Sequence, residues 1–308
     1  MPWQRILFGG LMILLLIGLI WLDHRLAQRV AEDWTPRLLI NVGLLLHEGL
    51  VVTLVVAVLV VFAAGELSRL LRAAGAQPAT GWATVACLGL VLIPWLVRNA
   101  IDAEISADVS TDYRYSVNWL AASVLGTFVA IGMRRRTEGA VAAIGATLLI
   151  IVYLGVLMSF VVRLRMWSSP WLLLYVLFVV KICDIGAFFT GLALGRTKLI
   201  AWLSPKKTWE GLAGGVAASV LLAIGLARLG MSHGPADLRI YLPSVGHAAI
   251  FGAVMALVGQ AGDLGESLLK RDAGAKDSGA VVPSFGGLLD IIDSPVFAAP
   301  LAYWMLVR

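Results

Sequence analysis

The sequence predicts an all-α polytopic membrane protein with about eight or nine transmembrane helices, and three observations support this fold class. Hydrophobic residues make up 60% of the 308 residues and charged residues only 14%, which is far more apolar than an ordinary soluble domain. The mean hydropathy is +0.89. Runs of about 20 apolar residues, the length that a helix needs to cross roughly 30 Å of hydrocarbon, recur from one end of the chain to the other.

Nine of these runs are predicted to span the membrane. They lie at residues 6–22, 49–65, 81–97, 117–133, 139–162, 170–195, 211–229, 245–262 and 288–307. The apolar stretch 38–46 is too short to cross a bilayer, and we interpret it either as an interfacial helix or as the start of the second span. The exact number of spans therefore depends on residues 23–65.

The charge of the chain does not predict a nucleic acid partner. The formal net charge is +5, but most of the 24 Lys and Arg residues lie in short loops at the ends of spans, where they contact lipid headgroups. Cys87 and Cys183 lie inside apolar runs, far apart in sequence, and are interpreted as small buried hydrophobic residues. We therefore expect an integral, multi-pass membrane protein that binds no nucleic acid.

The distribution of charged residues also predicts a topology. The arginines at 134–136 favour the cytosolic side, whereas the acidic loop 98–116 favours the outside. With the N-terminus inside, the predicted cytosolic loops are 66–80, 134–138, 196–210 and 263–287. This orientation is the one expected of a protein in the cytoplasmic (inner) membrane.

Ionisable side chains inside spans are informative, because each costs roughly 2.5–3.5 kcal/mol at the centre of a bilayer by insertion scales. They are concentrated in the C-terminal half. Lys181 and Asp184 are three residues apart, so both can lie on one face of a helix. We interpret this pair either as part of a polar site or as a buried ion pair that fixes helix packing.

A second polar segment, SPKKTWEG at 204–211, precedes the seventh span. Lys206, Lys207 and Thr208, together with the amide groups of a helix start, are suited to binding phosphates. The common alternative is a basic loop whose lysines contact lipid headgroups. This motif alone does not decide between them.

A third polar segment begins at the end of the eighth span. Asp263, Glu266 and Lys270 follow helical spacing, and the last two are four residues apart, as in a helical ion pair. Asp290 and Asp293 begin an otherwise apolar span. Carboxylates that enter a membrane together repel each other unless a cation lies among them, and their hard oxygen atoms suit Mg²⁺. A solvated acidic loop is the alternative, although the apolar neighbours of both aspartates argue against it.

These three segments together resemble the phosphatidate cytidylyltransferase (CDP-diacylglycerol synthase) family. Its C-terminal motif is matched in order and spacing by Ser267, Leu269, Lys270, Arg271, Lys276, Asp277, Gly279, Pro283, Gly286, Gly287, Asp290 and Asp293. Upstream matches are Asp184 with the following GAFFTG, the segment 204–211, Gly262, Asp263, Leu264 and Glu266. The resemblance divides the chain into variable N-terminal transmembrane helices, 1–165, and a C-terminal catalytic transmembrane region, 166–308.

The resemblance implies a membrane nucleotidyltransferase whose active site lies at the cytosolic membrane face. The implied reaction is CTP-dependent transfer of a cytidylyl group to phosphatidate, which forms CDP-diacylglycerol and pyrophosphate. The expected partners are CTP, phosphatidate or a related lipid phosphate, and membrane lipid, and a homodimer is left open. The expected cofactor is Mg²⁺, and a second cation, monovalent or divalent, is left open.

The same resemblance assigns roles to individual residues. The catalytic residues are Asp263, Asp290, Lys270 and Lys276. The substrate-binding residues are Lys206, Lys207, Thr208, Ser267, Arg271, Asp277, Gly286, Gly287 and Asp184. The metal ligands are Asp263, Asp290 and Asp293.

Two positions depart from the family's pattern. The family's His before the two glycines is Phe285, and its Arg between the closing aspartates is Ile291. Either these replacements are tolerated in a branch of the family, or the protein handles a different phosphate or has lost activity. We favour the first interpretation, because both aspartates, the lysines and the glycines remain.

Other functions compete with this one. The nearest is a related CTP-dependent enzyme that acts on another lipid, such as a CDP-archaeol synthase or a polyprenol kinase. The CDP-alcohol phosphatidyltransferases are excluded, because their pattern of Asp-Gly followed by Ala-Arg does not occur in the sequence. A secondary transporter is disfavoured, since no inverted repeat is visible and, apart from Glu66, the charges of the first half lie in predicted loops.

Overall fold

The computed structural model describes residues 2–32, 48–99, 109–135, 137–233, 241–279 and 286–307. Within these ranges the elements in chain order are α1 (Pro2–Glu32), α2 (Leu50–Ala73), α3 (Thr80–Asn99), α4 (Val109–Gly132), α5 (Ala140–Trp167, with a π-helical turn at Ile151–Val156), α6 (Pro170–Leu194), β1 (Lys198–Ile200), β2 (Ser204–Thr208), α7 (Trp209–His233), α8 (Val245–Asp272) and α9 (Leu289–Leu306). The predicted all-α fold class is confirmed, with one short hairpin as the only sheet in the part described.

Each of the nine predicted spans corresponds to one of these helices. In the described part of the chain, seven helices, α2 to α8, are long and apolar enough to cross a membrane. The first and last helices are not among the seven, so the expected number of eight or nine is larger than this count. The apolar stretch 38–46 lies outside the described residues. The protein is an integral, multi-pass membrane protein.

The chain divides into two compact units. The first comprises Met1–Met166 and Ser278–Leu288, and the second comprises Trp167–Asp277 and Leu289–Arg308. The segment 278–288 thus belongs by its packing to the first unit, although in sequence it lies in the C-terminal half. Our division of the chain into a variable and a catalytic region stays a prediction.

A fully buried ion pair joins α4 and α5 in the first unit. The Arg163 guanidinium lies 2.8 Å from the Asp112 carboxylate and donates a second hydrogen bond, of 2.6 Å, to Ser116 Oγ. The expectation of an external loop over 98–116 is therefore wrong for Asp112, since α4 begins at Val109 and carries this side chain with 0% exposure. The arginine from α5 supplies the compensating charge that lets a carboxylate lie inside the protein.

A second buried pair, between Asp23 of α1 and Arg165 of α5, organises the start of α2. The Asp23 carboxylate accepts a hydrogen bond of 3.0 Å from the N–H of Val51 and so caps a helix whose first N–H groups have no partners within the helix. Arg165 also lies 3.1 Å from the carboxylate of Glu48. The expectation that, apart from Glu66, the charges of the first half lie in loops is therefore wrong, because the helices continue beyond the apolar runs.

Local sequence explains where the helices of the second unit begin. Pro170 is the first residue of α6, and Ser169 Oγ accepts a hydrogen bond of 3.2 Å from a backbone N–H of the first turn. Ser244 caps α8 in the same way, by accepting from the N–H of His247 at 3.3 Å. Polar caps therefore set the first residue of two helices that are otherwise mostly apolar.

Small residues let α6 and α7 pack backbone to backbone. A Cβ at Gly215 would lie 2.8 Å from the carbonyl oxygen of Cys183, and one at Gly211 would lie 3.0 Å from that of Ala187. Close contacts of this kind are typical of helix packing in membranes, where van der Waals contact replaces the hydrophobic effect. The hairpin that connects these two helices is thereby held between their adjacent ends.

The segment that contains Lys206 and Lys207 does not begin as a helix. Residues Ser204–Thr208 form β2, which pairs antiparallel with β1, and α7 begins only at Trp209. The two lysines are therefore strand residues that lie directly before the cap of α7, and their proximity to the amide groups of a helix start stays compatible with the prediction. The register of the two strands shifts opposite the lysines, and along β2 Lys206 is exposed whereas Lys207 is partly buried.

The predicted topology can be tested by cysteine labelling, since Cys87 and Cys183 are both buried. Gln77, Pro243 and Asp272 are exposed, and each can be replaced singly by Cys. In sealed vesicles, a membrane-impermeant maleimide should label residues 77 and 272 from the cytosolic side and residue 243 from the opposite side. Labelling of residues 77 and 272 from opposite sides would mean that the predicted number of membrane crossings between them is wrong.

Candidate active site

Ion pairs in the second unit join four elements into one network of lysines and carboxylates. The network consists of Lys181 and Asp184 from α6, Lys207 from β2, Asp263, Glu266 and Lys270 from α8, and Asp290 and Asp293 from α9. All of these residues lie in the three segments that the sequence marks as polar. Helices that are distant in sequence therefore share a single set of charges.

The face of α8 carries the most buried part of this network. Glu266 is 0% exposed, and its Oε2 lies 2.7 Å from Lys270 Nζ, which is the helical ion pair expected from the sequence. Lys270 Nζ also lies 2.6 Å from Asp290 Oδ1 in the first turn of α9. One ammonium group thus lies between two carboxylates from different helices and offsets their repulsion.

Lys181 joins α6 to α9 in the same manner. Its Nζ lies 3.3 Å from Asp293 Oδ1 and 3.5 Å from Asp184 Oδ2. Asp184 accepts a further hydrogen bond of 3.1 Å from Gln260 Nε2 on α8. The pair of Lys181 and Asp184 is therefore a packing contact and a member of the larger polar group at the same time.

Lys207 connects the hairpin to the network. Its Nζ lies 2.7 Å from Asp263 Oδ2, and Ser267 Oγ donates a hydrogen bond of 3.4 Å to Asp263 Oδ1. Lys206, the preceding residue, is exposed. The irregular strand thus directs Lys207 to the carboxylate of Asp263 and leaves Lys206 exposed.

Three carboxylates of the network lie close enough together to hold a metal ion. Oxygen atoms of Asp263, Glu266 and Asp293 lie within 4.8 Å of one another. Glu266 Oε1 is buried and has no hydrogen-bond partner, which is unusual for a buried acceptor. The helices α8 and α9 approach this closely because residue 262 is glycine, where a Cβ would lie 2.5 Å from the Asp293 carbonyl oxygen. Hard oxygen ligands of this kind fit Mg²⁺.

Asp290 differs from the other two predicted metal ligands. Among the described residues, the group of close carboxylates contains Asp263 and Asp293 but has Glu266 in place of Asp290. Lys270 does not distinguish the two residues, because its ammonium group lies against both Asp290 and Glu266. The geometry adds Glu266 as an oxygen ligand beside Asp263 and Asp293. The metal role predicted for Asp290 stays a prediction.

The network contains more negative than positive charge. Its five carboxylates and three lysines give it a net charge of minus two when all are ionised. An unbalanced group of charges inside an apolar protein is costly unless further positive charge is bound or a carboxylate takes up a proton. A divalent cation carries the charge that balances this set.

The other predicted residues of the second unit have different surroundings. Thr208 is buried, and its hydroxyl accepts a hydrogen bond of 3.1 Å from the N–H of Gly211, so it caps α7. Arg271 donates a hydrogen bond of 3.1 Å to a backbone carbonyl in the turn after α8. Lys276 and Asp277 are exposed beyond that turn. The roles predicted for these four residues, catalysis for Lys276 and substrate binding for the other three, stay predictions.

Gly286 and Gly287 belong to the first unit. The φ angle of Gly286 is 95°, which favours glycine over any other residue. A Cβ at Gly287 would overlap Ser278 Oγ and lie 2.6 Å from Glu66 Oε2. The absence of a side chain at Gly287 thus has a reason within the protein itself, whereas an approach of substrate to either glycine stays a prediction. Phe285 lies outside the described residues.

Three residues of the charged network and its hydrogen bonds were given no site role from the sequence. They are Glu266, Lys181 and Gln260. Glu266 could have been chosen as a ligand, because it lies one helical turn from Asp263. Lys181 was recognised only as the partner of its neighbour, since nothing in the sequence pairs it with a residue 112 positions away. Gln260 gave no signal, because a neutral amide near the end of a span is common.

Comparison with known proteins identifies the family. The model of the Cytidylyltransferase family matches residues 27–308, which is most of the chain. The chain belongs to the Cytidylyltransferase family. The resemblance noted from the motifs of the C-terminal half is thereby confirmed, and it extends through the first unit as well.

Similar curated proteins carry the name phosphatidate cytidylyltransferase. The chain is 32% identical over 293 residues to that of Synechocystis sp., covering 86% of this chain and 91% of the relative. It is 34% identical over 165 residues to that of Bacillus subtilis, covering 53% of this chain and 58% of the relative. It is 42% identical over 125 residues to that of Brucella suis, covering 41% and 43%. The chain is therefore an enzyme of the nucleotidyltransferase class.

The balance of charge in the network can be tested through stability. Replacing Lys270 by Met removes the ammonium group between Glu266 and Asp290, and the loss of one partner from a buried ion pair costs about 3–5 kcal/mol. The melting temperature in detergent should therefore fall clearly. Lys206→Met is the matched control, because this lysine is exposed and its loss should change stability by no more than about 0.5 kcal/mol.

A second substitution separates charge from packing. Adding Glu266→Gln to Lys270→Met removes one of the two carboxylates that the lysine compensated, so part of the lost stability should return. Equal melting temperatures for the two single lysine variants, or no recovery in the double variant, would contradict the assigned pairing.

Proposed function

We propose that this protein transfers the cytidylyl group of CTP to phosphatidate and so forms CDP-diacylglycerol and pyrophosphate. The observation that carries the proposal is the network of carboxylates and lysines in the second unit, which lies in the segments that resemble phosphatidate cytidylyltransferases. The coverage of 91% of the Synechocystis relative supports it, because the similarity is not confined to one motif.

The proposed reaction is a displacement at phosphorus. An oxygen atom of the phosphatidate phosphate forms a bond to the α-phosphorus of CTP, and the bond between that phosphorus and the bridging oxygen of the β-phosphate breaks. The attacking oxygen is already anionic, so no side chain has to remove a proton. Catalysis then depends on positioning the two phosphates and on neutralising their charge.

The lysines are placed to provide this neutralisation. Lys207 and Lys270 are each held by carboxylates at 2.6–2.7 Å, so their ammonium groups are positioned before substrate binds. Lys206 is exposed and is available to a lipid headgroup. Arg271 and Lys276 supply further positive charge at and just after the C-terminal end of α8, the helix that carries Lys270. Positively charged side chains from more than one element can thus reach the phosphates of the substrates.

The residues that would hold Mg²⁺ are Asp263, Glu266 and Asp293. Their oxygen atoms are close together, their donor type is right, and one buried oxygen of Glu266 lacks a hydrogen bond. When bound, the ion would neutralise phosphate charge and orient the triphosphate. Asp290 fixes Lys270, and Ser267 fixes Asp263 through a hydrogen bond. A second cation stays an open expectation.

The location of the site suits a lipid substrate. All members of the network lie on helices that are candidate spans, on the hairpin between two of them, or on the final helix. A headgroup phosphate can therefore reach the charges from the membrane, while CTP arrives from the aqueous phase. In the predicted topology that phase is the cytosol, and we propose the cytoplasmic (inner) membrane as the location.

The role of Asp263 can be tested with purified protein in detergent. Asp263→Asn should lower kcat by about 100-fold or more, since losing one electrostatic contact at a reacting phosphate costs about 10²–10³ in rate. Formation of CDP-lipid from labelled CTP and phosphatidate is the measurement, and EDTA should abolish it until Mg²⁺ is restored. Asp272→Asn is the matched control, because this exposed aspartate lies on the same helix. Near-normal turnover by Asp263→Asn would remove that residue from the site.

The two departures from the family pattern test the choice of substrate. If Phe285 and Ile291 are tolerated replacements, the double variant Phe285→His, Ile291→Arg should keep or raise turnover of phosphatidate. If they adapt the site to another lipid phosphate, the new arginine would compete for Asp290 with Lys270 and the native activity should fall.

A panel of lipid phosphates and the melting temperature must be measured together, because a larger side chain can also overpack the site. Ile291→Leu, which conserves volume, is the control. A wild-type protein that binds CTP but turns over no lipid phosphate, with turnover gained by the double variant, would contradict the proposal that this chain is an active enzyme.

A further inference from the structure

Glu66 is a buried acidic residue of the first unit that has no role in the proposed chemistry. It lies on α2 among apolar residues, and its side chain is 1% exposed. A carboxylate in such a place costs free energy unless polar groups surround it. The polar groups that surround Glu66 therefore indicate why it is there.

The surroundings of Glu66 come mainly from one segment, 278–288. Ser278 Oγ donates a hydrogen bond of 3.3 Å to Glu66 Oε2, across 212 positions of sequence. A Cβ at Gly279 would lie 2.5 Å from Glu66 Oε1, and one at Gly287 would lie 2.6 Å from Oε2. The backbone thus passes against the carboxylate near both ends of the segment.

The side chain of Arg69, one turn further along α2, also approaches this carboxylate. Its Nη2 lies 4.0 Å from Glu66 Oε1, and the arginine side chain is 62% exposed. An ion pair so exposed contributes little. The contacts with Ser278, Gly279 and Gly287 therefore matter more for Glu66 than this pair does.

This segment joins two groups of predicted site residues along the chain. Lys276 and Asp277 come directly before it, and Asp290 comes directly after it. A segment fixed at both ends limits the positions that these neighbours can take. Displacement of a catalytic group by about 1 Å can cost about 10²-fold in rate.

We propose that Glu66 is a positioning residue, which fixes the described ends of the segment 278–288, at Ser278 and Gly279 and at Gly287, and thereby the residues that flank these ends for the transfer reaction. Its carboxylate accepts from Ser278 and occupies the space that Gly279 and Gly287 leave open. The proposal rests on the proposed function for its effect on activity. Its structural part, the fixing of the segment, can be measured without any substrate.

The first experiment measures amide hydrogen exchange of full-length protein in detergent. In Glu66→Ala, peptides that cover residues 276–288 should exchange about tenfold faster or more than in the wild type, because the contacts at both ends are lost. Glu66→Gln keeps the size and one acceptor, so its exchange should lie between the two. Asp112→Asn is the matched control, since Asp112 is a buried carboxylate of the same unit whose bonds go to Arg163 and Ser116.

The control separates a local effect from general loosening of the unit. If Asp112→Asn accelerates exchange of residues 276–288 as much as Glu66→Ala does, or if Glu66→Ala leaves it unchanged, the proposal is overturned. Faster exchange in Glu66→Ala alone supports it.

The second experiment tests the contact itself by rescue. Gly279→Ala places a methyl group against the Glu66 carboxylate and should lower kcat for CDP-lipid formation by about tenfold. Gly279 has no φ in the left-handed region, so alanine is compatible with its backbone. Adding Glu66→Asp shortens the opposing side chain and should restore part of that loss, whereas independent sites would give additive losses. Additive losses of kcat in the double variant would contradict the proposed contact between Gly279 and Glu66.

Turnover of the single variants completes the test. Glu66→Ala should lower kcat by about tenfold or more at a melting temperature no lower than that of Asp112→Asn. Faster exchange with unchanged kcat would overturn the positioning role. If the wild type forms no CDP-lipid at all, the proposed function fails, while the exchange experiment still reports on Glu66.

Discussion

The structure depends on one constraint: a charge inside an apolar, membrane-spanning protein must be compensated by an opposite charge or by polar groups from another part of the chain. In the first unit, Arg163 pairs with Asp112 between α4 and α5, and Arg165 lies between Asp23 and Glu48. In the second unit the compensation is shared, since Lys270 lies between carboxylates of α8 and α9 and Lys181 links α6 to α9. Balanced pairs hold helices together. The shared network, with its excess of negative charge, is where binding of additional cations becomes favourable.

The sequence predicted the helices well, because a run of apolar residues long enough to cross a bilayer has few other solutions in lipid. It also predicted contacts within one helix, such as Glu266 with Lys270, which follow from the helical repeat. Contacts between elements were not accessible in this way. Nothing local distinguishes Lys207, which binds Asp263, from Lys206, and only the strand pairing decides. Hydropathy runs also end where a charge begins, so buried charges were assigned to loops.

The glycines also show that contacts between elements cannot be predicted from the sequence alone. From the sequence, Gly286 and Gly287 were predicted to bind substrate, and Gly262 was noted only as part of a motif. In the structure, Gly262 leaves room for the backbone of α9, and Gly287 leaves room for Ser278 and Glu66. At each of these glycines a side chain is missing, but the sequence does not identify the group that occupies the space. Candidate site residues could therefore be named, whereas the grouping of Glu266 with the aspartates needed the packing of α8 against α9.

The hairpin of β1 and β2 makes the site sensitive to length rather than to composition. The irregular pairing of its strands leaves Lys207 against Asp263 and the preceding Lys206 exposed. Inserting or deleting one residue in β2 would change this register and move Lys207 away from Asp263, even with every residue type retained. Among homologous chains, the number of residues between α6 and α7 should thus be more restricted than their identity at exposed positions, and a gap there would mark a change in how phosphate is bound.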